Sequence, residues 1–191
     1  MNKTVTAVLA ISALAVNVAG ATSNNTVGGT DNTISTNSTS SAVWGFQNNI
    51  DANNALAFGA NNNVTGENGF AGGNNATAAG RNSFAFGSHA ESLVEYTIAI
   101  GNQARTASYD SVAIGNGAFV SGESSVAFGR SNNVTGENSV AIGANNGTVA
   151  GGQSAVVGYN KSGRKKNSLY SDLTPKQLAK VLSSLAHTPK H

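Results

Sequence analysis

Short runs of alternating apolar and small residues recur along most of the chain. In the segment S-V-A-I-G that ends at Gly115, Val112 and Ile114 share one face of an extended strand, and Ala113 points to the other face. The period of two and the β-branched residues predict a short β-strand. The terminal glycine recurs in 14-residue steps at positions 45, 59, 73, 87, 101, 115, 129 and 143, and again at 158 after a step of 15. A fixed step of this kind predicts a repeat architecture.

A second apolar residue often lies five residues after the glycine, at Ile50, Val64, Val120 and Val134. The links between the apolar positions are rich in Asn and Gly, which tolerate the positive φ of tight corners and disfavour a helix. We therefore predict an all-β solenoid of 14-residue coils, each with two short strands and two turns, stacked about 4.8 Å apart. Residues 24–40 resemble a degenerate first coil, and the extra residue of the last coil falls in the turn at Gly147.

Alanine recurs two residues before each glycine of the central repeats. Two or three larger apolar residues per coil make a thin core, and the alanine row leaves a second, small-residue face. We predict that another chain approaches this alanine face closely, which favours an oligomer around a common axis. The row consists of Ala57, Ala71, Ala85, Ala99, Ala113, Ala127 and Ala141.

The two ends of the chain differ from the repeats. Residues 1–21 have a positive start, an apolar stretch over 4–18 and a small-x-small site at Ala19-Gly20-Ala21, which predicts a cleaved signal peptide. The alternative is a transmembrane anchor, but the stretch is short and rich in Ala, Thr and Ser. We expect an exported mature chain that starts at Thr22 and has no membrane span, with β-roll repeats over 22–160.

Residues 161–191 are predicted to form a basic linker and a short amphipathic helix. Thr174 and Pro175 suit a helix start, and an apolar stripe follows. The helix is expected to cap the last coil, or else to contact other chains. For the basic linker, a solvated segment is favoured over binding to anionic lipid or nucleic acid. The stripe consists of Leu178, Val181, Leu182 and Leu185.

Composition excludes several functional classes. The chain has no Cys, so it forms neither disulfides nor Cys-ligated metal sites. Charged residues make up only 10% of the chain, and the net charge of +2 arises in the tail. Residues 22–160 carry three basic side chains and eight acidic ones, a balance of −5, and therefore offer no basic face to nucleic acid.

No pattern of catalytic, cofactor-binding or metal-ligating residues stands out, and we predict that the protein is not an enzyme. His89 is expected to be a solvated turn residue, and His187 and His191 lie in the tail. The serines lack a paired His and acid. Glu67, Glu123 and Glu137 share one position in their coils, where a solvated column is favoured over a cation site. Gly115-Asn116-Gly117 is only a fragment of a dinucleotide fingerprint.

The repeats S-V-A-I-G-x-x-A and N-S-V-A-I-G resemble the heads of trimeric autotransporter adhesins, the YadA-like heads. This resemblance covers about residues 41–160 and implies a left-handed parallel β-roll, a homotrimer, and display on the cell surface. It also implies attachment to host matrix, host cells or other bacteria. Unlike that family, the chain has no recognisable neck, heptad stalk or C-terminal barrel strands, and the mode of anchoring stays open.

Two other functions are compatible with the same fold. A spacer or fibre module of a surface appendage would show no saturable ligand binding. Ice or glycan binding by a flat face would need a regular rank of Thr, and the rank in this sequence is broken. The relevant positions are Asn63, Thr65, Thr77, Thr97, Thr106 and Thr135.

Overall fold

A computed structural model describes residues 17–18, 24–161 and 169–170. Over 24–161 the chain winds into a parallel β-solenoid of about ten turns, and the described residues contain no helix. Each coil contributes one strand to each of two parallel sheets, and each strand pairs with its counterparts in the neighbouring coils. The predicted all-β solenoid with coils of about 14 residues is confirmed.

The two sheets differ in strand length. The wide sheet contains β2 (Thr26–Thr30), β4 (Ala42–Phe46), β6 (Leu56–Ala60), β8 (Phe70–Asn74), β10 (Phe84–Phe86), β12 (Ile98–Ile100), β14 (Val112–Ile114), β16 (Val126–Phe128), β18 (Val140–Ala144), β20 (Ala155–Tyr159) and β21 (Leu169–Tyr170). The narrow sheet contains β1 (Asn17–Val18), β3 (Thr33–Ile34), β5 (Asn49–Ile50), β7 (Asn63–Val64), β9 (Thr77–Ala78), β11 (Glu91–Ser92), β13 (Arg105–Thr106), β15 (Phe119–Val120), β17 (Asn133–Val134) and β19 (Thr148–Val149).

Equivalent residues of successive repeats stack directly on one another. Ala113 pairs in register with Ala99 on one side and Ala127 on the other. The degenerate first coil is present, since Gly29 pairs with Gly45. The 15-residue step is absorbed in a turn, as predicted, because the register is restored at Thr148, which pairs with Asn133.

The predicted assignment of the two strand faces is wrong. The alanines of the wide sheet point inward and are fully buried, as Ala113 shows, whereas Val112 and Ile114 lie on the outer surface. The core between the sheets is thin, and Ile50, Val64 and their equivalents in the narrow sheet already fill it. Most inward residues of the wide sheet are alanines, with the larger Val43 and Val156 towards the two ends, and the side chains of the two sheets together form a close-packed interior. The alanine row therefore closes each chain's own core and offers no surface to another chain.

Both corners of the coil are built from residues at positive φ, as the Asn and Gly content predicts. The first corner follows the repeated glycine and leads to the narrow sheet, and the second corner leads back to the wide sheet. Asn61 at a first corner has a φ of 55° and Asn68 at a second corner a φ of 56°. Two such residues per coil reverse the chain within a few residues.

A column of buried asparagines joins consecutive coils at the first corner. The Nδ2 group of Asn48 donates to the carbonyl oxygens of Trp44 (3.2 Å) and Gly59 (2.8 Å). Its Oδ1 accepts from the main-chain N–H of Asn62 (3.0 Å) in the next coil. The side chain thus links consecutive coils through hydrogen bonds to their main-chain groups.

Replacement of Asn48 by alanine should lower the free energy of unfolding by about 2 kcal/mol, because a buried N–H and carbonyl lose their partners. Thermal unfolding followed by circular dichroism measures the loss. Asn49→Ala is the matched control, since this neighbouring side chain is exposed and its hydrogen bond goes to the half-buried Asn63 on the outer face of the narrow sheet. Equal losses in both variants would contradict the role assigned to the buried column.

Two predictions about the chain ends concern residues largely outside the described ones. Of the predicted signal peptide (1–21), only Asn17–Val18 is described, and it pairs with Thr33–Ile34. The predicted helix that starts at Thr174 and Pro175 lies wholly outside the described residues. Leu169–Tyr170 adds a strand beside Ala155–Val156, where the sequence predicts a linker.

Candidate functional site

The outer surface of the wide sheet carries two rows of apolar side chains on either side of the buried alanines. We call this surface the apolar face. Its row next to the glycines consists of Trp44, Phe58, Phe86, Ile100, Ile114, Phe128, Ile142 and Val157, and its second row of Leu56, Phe70, Phe84, Ile98, Val112, Val126 and Val140. The rings of Phe70 and Phe84 stack with centroids 4.5 Å apart.

Large side chains of the apolar face are exposed to solvent in the single chain. Phe58 is 59% exposed and Phe128 is 53% exposed, in coils near opposite ends of the solenoid. With strands about 4.8 Å apart, ten coils extend this face over roughly 45 Å. A continuous apolar surface of this length is typical of a protein–protein interface.

The sequence analysis missed the apolar face as an interaction surface, although a signal was present. The row next to the glycines holds Gly28, Trp44, Phe58 and Gly72 at equivalent positions. A position that takes both Gly and Trp cannot lie in a close-packed core, because the difference in volume would leave a cavity or a clash. The row that varies least in size, the alanines, is the buried one.

The outer face of the narrow sheet is polar. It carries mainly Asn and Thr, such as the hydrogen-bonded pair Asn49–Asn63, but three consecutive coils have Glu91, Arg105 and Phe119 instead. Arg105 pairs with Glu91 at 2.8 Å and lies over the Phe119 ring, 5.7 Å from its centroid. The rank of Thr needed for ice binding is broken, since Thr97 and Thr106 are buried in the core.

His89 lies at a different corner of the coil from the three glutamates considered in the sequence. His89 is an exposed first-corner residue with a φ of 56°, and its Nδ1 lies 2.9 Å from Ser88 Oγ. With Glu91, Gln103 and Arg105 it lines a shallow cleft of about 460 Å³. Within residues 24–161, no three His, Asp or Glu side chains come together as a metal site.

The three glutamates predicted to share one position occupy one column at the second corner. The ladder of main-chain hydrogen bonds places Glu123 directly before Glu137, whereas Glu67 lies several coils away. All three glutamate side chains are exposed to solvent.

The sequence matches the family model of the YadA head domain repeat at residues 51–76, 65–90, 95–118 and 121–146. The matches span the central coils of the solenoid, whose strands and corners repeat in the same register. The chain belongs to the YadA head family. No curated protein matches it.

Membership of the YadA head family carries expectations for assembly and location. The family implies assembly as a trimer and exposure at the cell surface as part of an autotransporter adhesin. YadA heads and β-solenoids are typically non-enzymatic. In the part of the chain that is described, no helix is long and apolar enough to cross a membrane.

Proposed function

We propose that this protein is the head of an exported trimeric adhesin that attaches bacteria to host matrix, host cells or other bacteria. In this proposal three left-handed β-rolls pack side by side through their apolar faces. The rest of each chain then faces the medium, either on the bacterial surface or as a secreted protein. The observation that carries the proposal is the exposed apolar face on a chain of the YadA head family.

The physical support for self-assembly lies in the repeat itself. Every copy of the chain presents the same apolar rows at the same spacing, so that faces of different copies can pack along their whole length. Burial of apolar side chains stabilises such an assembly by roughly 25 cal/mol per Å² removed from water. Aromatic residues such as Phe58 and Phe128 are also the types enriched at interfaces.

The support for attachment is the polar surface that remains outside such a trimer. The narrow sheet and the corners expose mainly hydrogen-bonding side chains, which make individually weak contacts. Three identical rolls multiply these contacts, and avidity can raise the strength of attachment by orders of magnitude. The proposed adhesin therefore needs no deep pocket.

The test begins with the purified chain in solution. Light scattering should give three times the monomer mass, and beads coated with the trimer should bind cultured epithelial cells or matrix-coated surfaces saturably. Beads coated with heat-unfolded chain are the control. A folded monomer would overturn the trimeric assembly. A trimer without saturable attachment to cells, matrix or other bacteria would overturn the adhesive role and favour the spacer.

A further inference from the structure

Two exposed tyrosines occupy the second corner of neighbouring coils. Tyr96 is 48% exposed and Tyr109 is 52% exposed. A main-chain hydrogen bond from Tyr96 N to Arg81 O (3.0 Å) joins the Tyr96 coil to the coil before it. A second bond, from Asp110 N to Glu95 O (3.4 Å), joins the Tyr109 coil to the Tyr96 coil. We call Arg81, Glu95, Tyr96, Tyr109 and Asp110 the tyrosine patch.

The tyrosines depart from the residue types that the other coils use at the same positions. At the position of Tyr96 other coils carry Asn54, Asn68, Asn82 and Asn138, all at positive φ. Tyr96 has a φ of 59°, a conformation that disfavours a bulky side chain far more than Asn. Its half-exposed ring gains little apolar packing in return.

Within the patch, the cationic side chain of Arg81 contacts both an aromatic ring and a carboxylate. The guanidinium of Arg81 lies 5.6 Å from the centroid of the Tyr96 ring, and its Nη2 is 3.1 Å from Glu95 Oε2 and 3.2 Å from the Tyr96 hydroxyl. The hydrogen bond and charge of Glu95 raise the pKa of Arg81, which stays protonated. An aromatic ring beside a carboxylate is therefore a cation-binding combination in this chain.

The same combination recurs one coil further on. Tyr109 follows Glu95 and precedes Glu123 in its column, and Asp110 is its chain neighbour. Main-chain bonds from Asp110 N to Glu95 O and from Ser124 N to Tyr109 O define this order. Equivalent residues at the second corner form two stacked columns, one with Glu95 and Tyr109 and the other with Tyr96 and Asp110. Among the described residues of these second-corner columns, Arg81 is the one basic side chain, and it already contacts Tyr96 and Glu95. No basic side chain of these columns, among the described residues, therefore lies over the Tyr109 ring.

The surroundings of the patch have the charge that complements a basic ligand. Residues 24–161 contain eight acidic side chains, and five of them lie in the second-corner columns. Closely spaced carboxylates lower the local potential and attract cations. Tyr and Arg are also the residue types that dominate binding energy at protein interfaces.

We propose that the tyrosine patch binds an arginine-containing basic segment of a partner protein, with arginine side chains stacking on Tyr109 and pairing with Glu95, Asp110 or Glu123. This proposal rests on the attachment function proposed above and names the chemistry of one partner. Tyr109 supplies the ring face, and the carboxylates supply the charge-assisted hydrogen bonds. Repetition of the patch in three chains adds avidity.

The test compares labelled hexa-arginine and hexa-lysine peptides as probes of the full-length chain, by fluorescence anisotropy at low salt. The wild type should bind hexa-arginine more tightly than hexa-lysine, because the guanidinium stacks on aromatic rings. The double variant Tyr96→Asn/Tyr109→Asn keeps every charge and should lose about tenfold in hexa-arginine affinity together with the preference over lysine. Both replacements introduce residues that other coils carry at these positions, Asn68 and Asn53.

Tyr159→Asn is the matched control, because Tyr159 is 62% exposed but ends a wide-sheet strand next to a first corner, away from the acidic columns. It should leave both affinities unchanged. Full hexa-arginine affinity in the double variant, or an equal loss in Tyr159→Asn, would overturn the proposal. A change in the mass of the double variant would also overturn it, since the tyrosines would then be contacts between chains.

The failure of this inference can be told apart from the failure of the proposed function. If beads coated with the double variant attach to cells as well as the wild type does, the patch is not the attachment site, whereas adhesion stands. If the wild type shows the arginine preference but no attachment to any surface, the adhesive role fails and the patch remains a binding site for basic polypeptides.

Discussion

Replacement of Phe58 and Phe128 by glutamate should convert the proposed trimer into a folded monomer. Both side chains are more than half exposed on the single chain, so the exchange costs the monomer little. In the proposed trimer the same positions are enclosed by other apolar faces, and each buried carboxylate would cost several kcal/mol unless it were paired. Light scattering should therefore show one third of the wild-type mass, with an unchanged β-sheet spectrum in circular dichroism.

The control places the same substitution on the opposite face of the coil. Phe119 projects from the narrow sheet, where Glu91 occupies the equivalent position two coils earlier. Phe119→Glu should leave the mass unchanged, because this face is polar and turned away from the apolar face. A trimer in the Phe58/Phe128 double variant, or a monomer in Phe119→Glu, would show that the chains associate through another surface.

The repeat step, the strands and the corners were predictable from the sequence because each depends on local chemistry. Alternation around Ala113 gives a strand whatever the strand packs against, and Asn61 or Asn68 suits a corner because of its own backbone preference. The 15-residue step was placed correctly for the same reason, since a turn absorbs an extra residue without a change of register.

The direction of each strand face was not predictable from alternation alone. A period of two separates Ala113 from Val112 and Ile114 but does not say which set is inside. Large apolar residues ordinarily indicate the core, but in this chain the narrow sheet fills the core and the large residues of the wide sheet are left outside. That outcome depends on the distance between the sheets, which is a property of the closed coil.

The tyrosine patch escaped the sequence analysis for a different reason. Tyr96 and Tyr109 lie at different positions of their repeats, so that no column of aromatic residues appears in the aligned coils. The approach of Arg81 to Tyr96 across one coil, and the positive φ of Tyr96, become visible only with the coordinates. Sequence repeats therefore identify the scaffold better than the sites where single coils depart from it.

A valine at Gly115, directly before a first corner, should cause a large loss of stability. Gly115 has a φ of 136°, which L-residues rarely adopt, and an added Cβ would lie 2.3 Å from the carbonyl oxygen of Gly129 in the next coil. The next coil cannot move away freely, because Gly129 N donates to Ile114 O at 2.7 Å. Backbone strain and overpacking each cost about 1–3 kcal/mol, so we expect a loss of about 3 kcal/mol or more.

The matched control lies two residues further along the same corner. Gly117 also has a positive φ, 62°, but the nearest atom to an added Cβ is Ser131 Oγ at 3.7 Å, and other coils carry Asn61 or Asn145 at this position. Gly117→Asn should therefore change the free energy of unfolding by less than about 0.5 kcal/mol, whereas Gly115→Val should lower Tm by about 6–12 °C. Thermal unfolding of the two variants by circular dichroism separates a glycine required by contact between coils from one required only by the turn. Equal Tm values for Gly115→Val and the wild type would mean that the coils can separate at this corner without breaking the ladder.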